Sequence, residues 1–80
     1  MANEEHVAQL SKGAVSWNAW RIENRDIRPD LRGAYLGYRN LGGANLSKAD
    51  LSKVDLSKTD LSKADLSEAD LSQATSPGRS

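Results

Sequence analysis

ANLSKADLSKVDLSKTDLSKADLSEADLSQ, residues 44–73, decides the fold. Leucine recurs every five residues, at Leu46, Leu51, Leu56, Leu61, Leu66 and Leu71. Looser copies run back through Leu41, Leu36 and Leu31, so nine leucines stand in register. An α-helix turns about 100° per residue, so a five-residue step scatters leucines around its whole circumference. A flat strand also fails, because alternate leucines would point to opposite faces. The period makes sense only if the chain turns a corner about every five residues and sends each leucine toward one axis.

The position two before each leucine is small or modest: Ala34, Ala44, Ala49, Val54, Thr59, Ala64 and Ala69. Two residues apart on an extended segment share a face, so this position also points inward. The residue between is Asn45, Asp50, Asp55, Asp60, Asp65 or Asp70, and it points out. The following serine and lysine make the corner. Asp, Asn and Ser suit corners because their side chains bond nearby backbone groups.

This pattern resembles the pentapeptide-repeat family, whose motif is A(D/N)LXX. The match covers residues 44–73 and, more loosely, 31–43. The resemblance implies a β-solenoid: a right-handed, quadrilateral β-helix with four repeats per coil, hence about two coils here. Residues twenty apart would then stack, Leu31 on Leu51 on Leu71 and Leu46 on Leu66. WNAWR and IRPDLRGA also look like leader segments of bacterial pentapeptide-repeat proteins.

Composition narrows the function. The chain has 80 residues, no cysteine and one histidine, His6. Disulfide staples, thiolate metal sites and a histidine metal cluster within one chain are excluded. Formal net charge is zero and no basic block is present, so nothing attracts a phosphate backbone. No apolar run is long enough to span a membrane, and the start is polar and acidic, so the expected location is cytoplasmic. Residues 41–73 hold six acids and four lysines, a weakly acidic balance.

Residues 1–24 read as an N-terminal helical cap. NEEHVAQLSK suits a short helix capped by Asn3, with Glu4 and Glu5 in its first turn. His6 is expected on its surface. Gly13 either ends it or sits within a longer one. AVSWNAWRIEN suits a second helix, whose Val15, Trp17, Trp20 and Ile22 are expected to cover the first coil. A solenoid end exposes a ring of core that needs such a cover. Residues 25–30 are a connector, 31–73 the repeat β-helix, and 74–80 a disordered tail.

Pro29 and Arg39 fall where small inward residues belong. An unpaired buried guanidinium is costly. Arg39 therefore marks a distorted face, a side chain leaving through the mouth, or a pair with an acid. Tyr35 and Tyr38 are outward; packing on the tryptophan cap is favoured over a partner surface. Gly33, Gly37, Gly42 and Gly43 read as tight-corner glycines and match no phosphate-binding fingerprint.

Asp30, Asp50 and Asp70 stack on one face, but the corner lysines offset them, and no metal site is assigned. Lys48 over Glu68 reads as an attractive surface stack. No nucleophile, acid/base pair or cofactor motif is present to assign. Catalytic, cofactor and metal residues are therefore none. The favoured reading is a non-enzymatic structural or protein-interaction module. It self-associates, for example as a homodimer, or docks an unknown protein through its uncapped C-terminal coil. The alternative is suggested by relatives that mimic duplex DNA and bind topoisomerases. Short length and neutral charge disfavour it. A shortened gene product is a further reading, prompted by the loss of pattern after Leu71.

Overall fold

The computed structural model describes residues 2–75. Asn3 begins the first helix, α1, Glu4–Ser11. Its side chain accepts from the amides of Glu5 at 2.9 Å and His6 at 3.3 Å, which satisfies donors that a helix start leaves free. Gly13 then interrupts, at φ 106°, where L side chains are strained. The second helix, α2, is Ala14–Glu23.

From Asp30 to Thr75 the chain winds into a stack. Parallel bridges pair Asp30 with Asp50, Tyr35 with Asp55, Asn40 with Asp60, Asn45 with Asp65, Asp50 with Asp70 and Asp55 with Thr75. Each bridge joins residues twenty apart, so one rung spans four repeats. Each face contributes a single bridge residue, because corners every five residues leave no room for a longer extended run.

The corners share one geometry. The amide of the small residue donates to the carbonyl of the leucine three positions earlier, at 2.9–3.2 Å, and Arg39 does the same at 3.4 Å. The residue before that small one lies at φ 58° to 77° from Gly33 to Gln73. A left-handed third residue alone, closed by that hydrogen bond, makes a type II turn. Glycine fills the position at Gly33 and Gly43, but lysine fills it at Lys48, Lys53, Lys58 and Lys63. Left-handed geometry costs a non-glycine residue about 1–2 kcal/mol, so the surrounding bonds must hold it. Gly37 and Gly42 instead take the serine position.

The core follows the leucine ladder. Leu31, Leu36, Leu41, Leu46, Leu51 and Leu56 are buried, with Ala44, Ala49, Val54 and Thr59 beside them. The Thr59 hydroxyl donates to the Leu36 carbonyl at 2.8 Å, which satisfies it inside the core. Ala34, Leu61, Ala64, Leu66 and Ala69 are half-buried, and Leu71 is 39% exposed.

Several expectations need correction. Val15 is 87% and Ile22 63% exposed, so neither belongs to the cap. They lie seven residues apart on one side of α2, opposite the face that carries Trp17 and Arg21. His6 is not on a surface: it is buried, against Trp20 at a ring separation of 5.1 Å. Tyr35 and Tyr38 are exposed, because the tryptophan face of α2 sits over Asn45 rather than over them. Pro29 is buried and its carbonyl accepts from Asp50, so the stack takes in the end of the expected connector. Ala74 is half-buried and Thr75 bridges Asp55, so these two residues belong to the stack and not to a tail. The rest of the expected tail, 76–80, lies outside the described residues.

Arg39 keeps both regular backbone bonds, to Leu36 and from Asp60, so its face is not distorted. It is half-buried and forms no ion pair among the described residues.

Candidate functional site

The rungs are joined by a polar pattern with direction. Each face of an upper rung gives two amides to the rung below and takes one. At one face, Leu46 and Lys48 donate to Asp65 and Ser67, while Asp65 donates back to Ala44. The other faces repeat this at 2.8–3.1 Å. A lower edge is therefore rich in donors and an upper edge in acceptors. Open edges of this kind invite pairing.

The upper edge is closed on two of its four faces by groups of the N-terminal segment, residues 3–21. At one face, His6 Nδ1 accepts from the Asp30 amide at 3.0 Å, and the Asp30 carbonyl accepts from the Asn3 amide at 2.9 Å. At another, the Asn45 amide donates to Asn18 Oδ1 at 2.7 Å. Trp17 Nε1 and Arg21 both donate to the Asn45 carbonyl at 2.7 Å, and Arg21 also reaches the Ser47 carbonyl at 3.0 Å. Burial pulls the Arg21 guanidinium below its usual range, while the charge of Asp65 opposes that shift. Trp17 is fully buried and stacks on Trp20, with ring centroids 5.2 Å apart.

Sequence reading placed Trp17 and Trp20 over the first coil but missed Asn18, Arg21 and His6. Polar residues beside a buried tryptophan, spaced along one helix face, were the available signal.

The lower edge is different. Among the described residues, the amides of Leu66, Glu68, Leu71 and Gln73 and the carbonyls of Ala64 and Ala69 have no partner. Burial fades in the same direction, from Leu56 through half-buried Leu61 and Leu66 to exposed Leu71. The ladder thus begins sealed and ends open.

The outer surface is held by a repeated short circuit. Oδ1 of the residue before each leucine accepts from the serine amide two positions on, at 2.9–3.2 Å from Asn45 to Asp70. It also accepts from that serine's hydroxyl. These serine bonds hold Asp55, Asp60, Asp65 and Asp70 below the usual carboxylate range. Asp30 is lowered chiefly by Arg32, at 2.9 Å. Lys48 and Glu68 form no ion pair among the described residues. No group of three metal-ligating side chains occurs among them either.

Eight copies of the pentapeptide-repeat family model match, over residues 30–67 and 40–75. The chain belongs to the pentapeptide-repeat family. The matched region is the stacked region, more than half of the chain. No curated protein and no solved structure matches this pentapeptide-repeat chain. No helix among its described residues is long and apolar enough to cross a membrane.

Proposed function

We propose that this pentapeptide-repeat chain is a non-enzymatic interaction module that docks a protein, a second copy or another chain, through its open C-terminal rung. We take the stack to be the right-handed quadrilateral β-helix of the family, working in the cytoplasm without nucleic acid or membrane. One observation carries the reading. The leucine ladder is sealed where the helices cover it and less covered at half-buried Leu66 and exposed Leu71, where backbone donors lack partners among the described residues. Unpaired donors beside apolar surface are the ingredients of strand addition.

Sedimentation equilibrium combined with amide exchange tests this. The amides of Leu66, Glu68 and Leu71 should exchange fast in the dilute protein and slow down when a partner engages. A dimer that dissociates on dilution and weakens in Leu71→Asp makes a second copy the partner. A folded monomer at every concentration directs the search to another protein. Slow exchange at these amides in the dilute monomer would show that the edge is unavailable and sink the reading.

A further inference from the structure

We propose that His6 is an acid-sensitive latch of the N-terminal cap: its neutral ring closes the Asp30 face of the first rung, and protonation opens that face. The inference concerns the sealed end of the stack and stands apart from docking at the other end.

The geometry fixes the protonation state. The Asp30 amide donates to His6 Nδ1 at 3.0 Å, so that nitrogen is bare and Nε2 carries the ring's one proton. A protonated imidazole has two donors and no acceptor. Its Nδ1–H would face the Asp30 N–H where the residue is 8% exposed, with little water to separate them. Trp20, its ring centroid 5.1 Å away, offers no acceptor. An imidazole in water takes up its proton near pH 6.5. Closure and proton binding therefore compete. The latch is shut above about pH 6.5 and yields as pH falls below it.

The charges around the ring do not offset this. The Asp30 carboxylate is already engaged by Arg32, at 2.9 Å from Nε and 3.0 Å from Nη2, and the charge of the amino terminus acts on it as well. Arg32 in turn reaches Asp50 at 3.7 Å. On α1, Glu4 and Glu5 are exposed, where water and salt screen them, and the ring sits near the positive start of the helix. On α2, Arg21 is turned to Asn45 and Ser47, and Glu23 is exposed.

The second clamp has no such sensitivity. Trp17, Asn18 and Arg21 hold Asn45 and Ser47 with groups that do not change charge between about pH 5 and 8. His6 is the one histidine of the chain, and there is no cysteine. Mild acid therefore loosens the Asp30 face and leaves the Asn45 face shut. With the ring released, the Asn3 amide on the Asp30 carbonyl is the remaining polar tie to that face among the described residues.

Amide exchange of the intact chain at pH 7.5 and 5.5, each rate divided by its free-peptide value, tests this. One pH unit below the ordinary imidazole value, the opened state gains about tenfold over the closed one, so protection of Asp30 should fall about tenfold. Protection of Asn45 should stay the same. His6→Asn places a side-chain oxygen near the position of Nδ1 and does not titrate, so it should abolish the pH dependence at Asp30. The amino terminus titrates near pH 8 and is unchanged in that variant, which separates it from the ring. Ring-nitrogen chemical shifts of the parent at pH 7.5 should report a bare Nδ1. Acid opening that persists in His6→Asn, equal opening at Asp30 and Asn45, unaltered protection at Asp30, or a proton on Nδ1 at pH 7.5 would each overturn the latch. Should His6→Asn not fold, the ring-nitrogen shifts and the two amides of the parent decide.

Discussion

Arg21 shows how much one side chain settles at the cap. Its residue is 9% exposed, and its two terminal nitrogens hold carbonyls at Asn45 and Ser47. Its Nε has no partner among the described residues, so the site spends a desolvated donor to keep that grip. Removing the guanidinium leaves the Ser47 carbonyl without its donor and the Asn45 carbonyl with Trp17 Nε1 alone. Arg21→Met should lower unfolding free energy by about 1.5–3 kcal/mol, the range for hydrogen bonds to a charged group. Urea unfolding followed by tryptophan fluorescence measures it. A loss near zero would mean the clamp is not holding the helix to the stack. The sequence alone gave no sign of this role. An arginine after Trp20 reads as a solvated charge until the fold brings Asn45 within reach, twenty-four positions away.

At the scale of the element, the repeat corner ties sequence to stability through its carboxylates. Asp55, Asp60, Asp65 and Asp70 are held below the usual range, so their folded values lie under the unfolded value of about 3.9. The stability they contribute is fully present above about pH 4 and is lost as pH falls through the folded values. A chain with asparagine at these four positions keeps the acceptor, as Asn40 and Asn45 do. Its thermal midpoint should therefore decline less below pH 4 than that of the parent. Matching acid limbs would mean that the corner bonds do not couple to folding. The period, inward residues and corner chemistry were all legible here, because each is set within five residues. The left-handed lysines were not. Lysine has no preference for that geometry, and only the closed turn and the serine bonds impose it.

Across the whole molecule, stability is graded along the stack axis. Leu51 is fully buried with a rung on either side, whereas Leu71 stands at the open end. Leu51→Ala should cost about 2–5 kcal/mol. Leu71→Ala should cost under about 1 kcal/mol, since much of its surface already meets water. Thermal or urea unfolding of the two variants decides it, and equal losses would mean that the lower end is covered in solution. Sequence determined that the leucines and the small residues two before them turn toward one axis, because a five-residue period permits no other common burial. The stacking of residues twenty apart was implied by the family resemblance. Tertiary structure alone decided which groups close the upper edge, and with it the exposure of Val15, Ile22, Tyr35 and Tyr38. Those choices depend on where two short helices land on the first rung. The repeat code fixes contacts between neighbouring corners, but it carries no information about a non-repeating segment that meets them from outside.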